Sequence, residues 1–397
     1  MQQNITEKIK EKAAEIEEKI IEIRHQIHQN PELSFKEQET AALAAAEMKK
    51  LGFEVRENIF GTGVSAVLKN STEPDAKTLL IRADMDALPV SEKNELSFKS
   101  KNEGIMHACG HDGHTAILIG TAVVLKELAQ EFEGNLKFVF QPGEETSGGA
   151  AGMIEEGVLK DPDVDAALGL HLWGSSPEGM VEYKSGPFMA SPDRFNLKIL
   201  GKGGHAARPH NTVDPIPIAA EIISALQTIV SRRIDPLDSA VISVCNVEAG
   251  STHNVIPDEA VLKATVRSLK SEVREQLAEN IEAVVKNICN IYGADYQFDY
   301  TFGYPAVVND PKMTEVLSEA GVKVLGDKRV RGKEKVEMGG EDFSYVGLEV
   351  PATFYFLGIA PEGEIINHHQ SDFRFNDSVL KDGVAVMAQT ALDFLNS

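Results

Sequence analysis

Between His107 and His114 the chain places three imidazoles, one thiol and one carboxylate within a single short stretch, His-Ala-Cys-Gly-His-Asp-Gly-His. Borderline transition metals prefer ligands of these types, so the fold is expected to carry this loop to a point where such groups converge. An extended backbone here would direct His107, Cys109 and His111 to one side, because side chains alternate along a strand. After Gly113 the chain turns apolar through Ala116-Ile-Leu-Ile-Gly-Thr-Ala-Val-Val-Leu125, which predicts a buried helix entered by the cluster. A single Cys or His is more often a packed core residue; the density here favours a site.

At 397 residues the chain exceeds the size at which one core keeps growing, so two domains are expected. Ile5, Ile9, Ala13, Ile16, Ile20, Ile23 and Ile27 recur at helical spacing and predict one amphipathic helix over about 5–29, stopped by Pro31. Ser34 followed by Glu37 reads as a capping box before an Ala-rich helix that Gly52 ends. Strand-like runs follow at 53–59, 64–68, 78–83, 136–140 and 166–172, and their alternation with helices predicts an α/β sheet covered on both faces.

From about Phe188 the texture changes. Strands at 194–200, 240–247 and 260–268 and helices at 215–231 and 272–292 predict a compact α+β module. After Pro305 the α/β texture returns, with a helix at 312–325, a strand at 352–357 and a closing helix at 378–395. The expected organisation is a discontinuous catalytic domain, 1–186 and 303–397, with 187–302 inserted.

A net charge of −22 and a pI near 5.0 oppose binding to nucleic acid or to an anionic membrane surface. Only Cys109, Cys245 and Cys289 occur, too few and too scattered for a disulfide framework, which fits a reducing cytoplasm. The first residues are polar, with no apolar signal-like core, and no run is long enough to span a bilayer.

Other candidate groups lie at element ends. Gln141-Pro-Gly-Glu144-Glu145 follows a strand, and adjacent carboxylates there suit a division of labour between holding metal and moving a proton. Asp84 and Asp86 end another strand, His171 lies in an apolar run beside the only tryptophan, and His368-His369 comes near the C-terminus. Convergence from several element ends is how α/β enzymes assemble sites.

The set Asp84-x-Asp86-x-x-Pro89, His107-Ala-Cys-Gly-His-Asp-Gly-His114, Gln141-Pro-Gly-Glu-Glu145, Gly169-Leu-His171, Gly204-His205-Ala206 and His253-Asn-Val-Ile-Pro257 resembles the zinc-peptidase-like amidohydrolases. These include aminoacylase-like N-acyl-amino-acid hydrolases, hippurate hydrolase and auxin-conjugate hydrolases. The resemblance runs in order over nearly the whole chain. It implies a mixed-sheet, metallopeptidase-like α/β catalytic domain carrying an inserted, ferredoxin-like lid and dimerisation domain. Cys109, His111, Glu145, His171 and His369 would bind two divalent ions, Zn, Mn, Co or Ni. Glu144 would be the general base and Asp86 would support the site from behind. His369 is preferred to His368 because it precedes Phe373 by four residues, as in the family's His-Ser-Pro-x-Phe pattern, although Ser371 replaces the proline. Relatives with the aminopeptidase-like ligand set carry histidine where this chain has Asp84.

The resemblance further implies a homodimer or dimer-based oligomer. In it His205, on the Gly201–His205 turn, would polarise the scissile carbonyl in a neighbouring subunit's site, and Asn254 would help hold substrate. The expected reaction is cleavage of an N-acyl amino acid to a carboxylate and a free amino acid. The rivals are a dipeptidase or metal carboxypeptidase on the same scaffold and a metal-binding protein without turnover; binding alone needs neither a spare base nor an oxyanion donor.

Overall fold

A computed structural model describes residues 4–73, 76–146 and 148–397. The chain divides into two compact units, one running up to Gly186 and resuming over Val308–Lys335 and Asp342–Ser397, the other comprising Pro187–Val307 and Val336–Glu341. The short segment 336–341 joins the second unit through backbone bonds between Glu337 and both Phe188 and Ala190.

The first unit is built on an eight-stranded mixed sheet in the order 54–59, 63–69, 135–141, 78–84, 166–177, 352–360, 181–183, 330–332. Strands 135–141, 78–84, 166–177 and 352–360 run parallel, and the three sheet-centre strands 135–141, 78–84 and 352–360 are buried at every position. That is why they read as mostly apolar runs, broken by single buried charges such as Arg82 and Lys137, rather than as alternating ones. The apolar helix His111–Glu127 packs against strand Thr78–Asp84 and against the helices Glu17–Gln29 and Val379–Leu395.

Two local expectations are corrected. The N-terminal helix is two helices, Ile5–Glu15 and Glu17–Gln29, separated at Ile16. The break lets the first half follow helix Val379–Leu395, where Thr6 Oγ1 donates to Gln389 at 2.8 Å, while the second follows helix His111–Glu127. The Ser34/Glu37 capping box does not form. Glu37 is at the N-cap position of helix Gln38–Lys50 but makes no side-chain cap bond; Glu32 instead accepts from the N–H groups of Glu39 and Thr40, each at 3.0 Å. With those donors taken, Ser34 and Glu37 are free to reach elsewhere.

The second unit holds a four-stranded antiparallel sheet in the order 240–249, 259–268, 191–200, 295–301. With helices Pro215–Arg233 and Ser271–Tyr292 the chain order is βαββαβ, the ferredoxin-like arrangement. The last strand, Asp295–Thr301, is absent from the sequence reading because its residues alternate polar and aromatic at an edge. The unit has its own core, in which Ile218, Ile222, Leu226, Leu277, Ile281 and Val285 meet Phe195, Leu197, Ile199 and Leu262.

Candidate metal centre

Sheet register levels the groups. Arg82 pairs with Gly169 and Asp84 with Gln141, so His171 stands beside the end of strand 78–84, and the Glu144-Glu145 turn leaves strand 135–141 at the same height. These are the carboxyl ends of parallel strands, where open α/β sheets gather ligands.

The helix expected after Gly113 begins at His111, because Gly110, at φ +93°, supplies the left-handed turn that feeds it. The strand-like alternation therefore fails. Cys109 and His111 face His171 and Asp86, with Cys109 Sγ 3.4 Å from His171 Nε2, whereas His107 turns toward His28, ring centroids 6.3 Å apart, with neither nitrogen hydrogen-bonded. Asp112 also faces away, accepting from Arg24 Nε at 3.0 Å and His28 Nδ1 at 2.9 Å.

Imidazole tautomers decide which histidines can take a metal. His171 donates Nδ1–H to the Leu172 carbonyl at 2.7 Å, leaving Nε2 as a lone-pair donor. His111 offers Nδ1 to Asp86 Oδ1 at 3.3 Å, and its buried Nε2 has no hydrogen-bond partner. Fixing one nitrogen by a carbonyl or carboxylate while aiming the other is how proteins prepare metal-binding imidazoles. His114 is excluded on the same ground: Nδ1 donates to Asp84 at 2.6 Å and Nε2 accepts from Leu172 N at 2.9 Å. The adjacent histidines also separate. His368 Nε2 donates to the Leu172 carbonyl at 2.9 Å, whereas His369 Nε2 lies 3.3 Å from Glu145 Oε1.

The donors fall into overlapping trios. Cys109, His111 and His171 each place one ligand atom within 4.8 Å of the others, as do Cys109, Glu145 and His369, and His111, Glu144 and Glu145. With Cys109 common to the first two, this set suits two neighbouring ions, and thiolate, imidazole and carboxylate together fit borderline divalent metals. The electrostatics demand cations too. Burial, then Glu145, Glu144 and Asp84, push the Cys109 thiol well above its usual range. Burial lowers His111, yet Asp84 and Asp86 overcome it and raise the group to about 10. Burial foremost keeps His171 neutral, as a ligand must be.

A buried scaffold supports the pocket. Asp86 accepts from Ser34 Oγ at 2.6 Å, Glu144 N at 3.2 Å and Glu145 N at 3.0 Å. Asp84 is committed to Arg82 at 2.7 Å and to His114, and Arg82 also donates to Gln141 at 2.9 Å and Asp342 at 2.9 Å. Arg82 was passed over in the sequence, though a charge inside an apolar strand could have flagged it; Ser34 and Glu37 showed only a capping-box pattern, and Asp342 no signal of its own.

In the second unit, His205 and Asn254 come together. Gly204–His205 pairs with Val255–Ile256 in a two-stranded ribbon, Ala206 N donates to the Asn254 carbonyl at 3.2 Å, and both side chains are exposed.

This donor set, with the Glu144 carboxylate beside it, suits a dinuclear metal centre of the kind that supports hydrolysis. The sequence profile of peptidase family M20/M25/M40 matches residues 80–393, and the chain belongs to that family. It is 40% identical over 398 residues to thermostable carboxypeptidase 2 of Saccharolobus solfataricus, covering 99% of this chain and 100% of that one. It is 40% identical over 382 residues to the N-acetyl-L-cysteine deacetylase of Bacillus subtilis, covering 96% and 89%. It is 39% identical over 373 residues to the hippurate hydrolase of Campylobacter jejuni, covering 94% and 96%. Among solved structures, the Bacillus subtilis YXEP protein, described as a dinuclear metal binding peptidase from the M20 family, superposes with a TM-score of 0.83 at 35% identity, covering 96% and 99%.

Proposed function

We propose that this protein is a metal-dependent amidohydrolase that cleaves N-acyl amino acids to a carboxylate and a free amino acid. The observation that carries it is the convergence of Cys109, His111, Glu145, His171 and His369 beside Glu144, whose backbone is held by Asp86. Those five residues would hold two divalent ions, which when bound would supply Lewis-acid activation of the scissile carbonyl and of water. Glu144 takes the proton from that water and returns it to the leaving amine, the acid and base switch that amide cleavage requires. Asp86 holds His111 by its Nδ1 and the Glu144-Glu145 turn by two N–H groups.

We infer a homodimer in which His205 supplies the oxyanion contact and Asn254 holds the substrate, as the family resemblance implies. The strand Ala240–Ala249 supports this reading, since it is an edge of the four-stranded sheet and leaves Val247 more than half exposed. Among the described residues, no helix is long and apolar enough to cross a membrane. Cys109, Cys245 and Cys289 are free thiols, and a working Cys109 thiolate favours a reducing compartment such as the cytoplasm.

A carboxypeptidase reading rests on the Saccharolobus relative. Chemically the two are close, because the last residue of a peptide is itself an N-acyl amino acid. The metal-loaded protein should release amine from N-acetyl-methionine or hippurate faster than from Ala-Ala or benzyloxycarbonyl peptides when tested with Zn, Mn, Co and Ni. Faster release from the peptides would reassign it as a peptidase; no release with any metal would leave a binding protein.

A further inference from the structure

Two carboxylates hold three successive backbone N–H groups of the turn bearing the glutamate pair. Asp86 takes those of Glu144 and Glu145. Glu37, distant in sequence, takes that of Gly143 at 2.9 Å. The same Glu37 oxygen accepts from Phe35 N at 2.8 Å, and its other oxygen accepts from Thr62 Oγ1 at 2.5 Å.

Several features mark Glu37 as more than a fold element. Its side chain is fully buried, yet among the described residues it has no ion-pair partner. Burying a carboxylate without a cation is unfavourable, and burial lifts its pKa above the ordinary value. It forgoes capping the helix it precedes, a role Glu32 fills. Its neighbour Phe35 adopts φ +61°, an unfavourable conformation for a bulky residue, and lays its ring on Gly143, where a Cβ would come within 2.4 Å of it. Gly143 itself has φ +67°. The 35–37 segment is thus shaped around the one turn that carries Glu144, and backbone strain of this kind concentrates at working sites.

We propose that Glu37 is a positioning residue for the general base: by holding Gly143 N it fixes the Pro142–Gly143 peptide of the turn, one residue ahead of Glu144, and with it the direction of the Glu144 carboxylate. Ser34 completes the splint by donating to Asp86. This rests on the reading of Glu144 as the base, and the test separates the two.

With hippurate or N-acetyl-methionine as substrate, Glu37→Ala should lower kcat about 10- to 100-fold, the usual effect of removing a group that orients a catalytic one. KM and metal content should stay unchanged. Glu37→Gln should stay within a few-fold of wild type, because its amide oxygen still accepts from Gly143 and Phe35 while its amide N–H donates to Thr62 Oγ1. In a Glu144→Gln background, Glu37→Ala should cause no further loss, since the group it orients no longer works as a base. If Glu37→Ala does not fold, Glu37→Asp, one methylene short of Gly143, should show the same kcat loss. Native kcat in the Ala or Asp variant, loss of metal in either, or a full multiplicative loss in the double variant would each overturn the proposal. A Glu144→Gln enzyme with native turnover would overturn the base assignment beneath it.

Discussion

Cys109 Sγ lies 3.4 Å from His171 Nε2, two groups 62 residues apart brought together by a helix entry and a central strand. A thiol so buried, facing Glu144, Glu145 and Asp84, is held protonated by its surroundings and gives up its proton only to a competing cation. Cys109→Ala should therefore lower bound metal from two ions per chain to about one or fewer and slow turnover at least roughly 10-fold, by analogy with removal of groups that support a metal. Elemental analysis of the purified variant checks this, and full occupancy would remove Cys109 from the ligand set.

Glu144 and Glu145 should separate by function. Glu144→Gln should keep both metals and lose about 10²–10⁴-fold in kcat, the usual contribution of a positioned base. Glu145→Gln should lose metal first, because Glu145 Oε1 is the carboxylate atom nearest His369 Nε2, at 3.3 Å. Metal content and kcat measured on both variants decide the matter; the opposite pattern would exchange their roles.

His28 gives a pH dependence of stability. Its buried ring bridges Asp112 at 2.9 Å and Glu92 at 3.3 Å. Burial, the largest influence, lowers its pKa, but the bonds to Asp112 and then Glu92 outweigh it and raise the group to about 9. A folded pKa above the unfolded value of about 6.5 means that the stabilisation is fully present below pH 6.5 and is lost as pH rises to 9. The shift corresponds to about 3 kcal/mol. Urea unfolding should show a gap between wild type and His28→Gln that is widest near pH 6 and shrinks toward pH 9. A gap that is constant or grows would mean the folded protein holds His28 neutral.

Much of this was legible in sequence, for identifiable reasons. Strands 78–84, 135–141 and 166–177 stand out because burial on both faces demands apolar runs, and the groups at their carboxyl ends follow. Strand 295–301 and the pairs 181–183 and 330–332 did not, since a short or edge strand has no such demand. Within the His107–His114 stretch, composition gave the donor types but not their directions. Gly110 starts the helix early, which sends Cys109 and His111 one way and His107 and Asp112 the other. Ser34 and Glu37 mimic a capping box because the same polar groups suit a helix start and a backbone turn; only the prior claim of Glu32 on that helix distinguishes them.

The last prediction concerns the dimer. The four-stranded sheet ends at strand Ala240–Ala249, and pairing such an edge across a two-fold axis would protect it while repeating every contact. In the ribbon that carries His205, a Cβ on Gly203 would lie 2.5 Å from the Ile256 carbonyl, so a close backbone approach holds the turn in shape. If His205 serves a neighbouring subunit's site, homodimers of His205→Ala and of Glu144→Gln should each be nearly inactive. Heterodimers formed by subunit exchange should regain up to about half of wild-type activity, because one of the two sites then has both groups intact. Native mass spectrometry establishes that exchange has occurred, and heterodimers without activity would place His205 in the site of its own chain or in none. A protein that sediments as a monomer at full activity would overturn the dimer requirement itself.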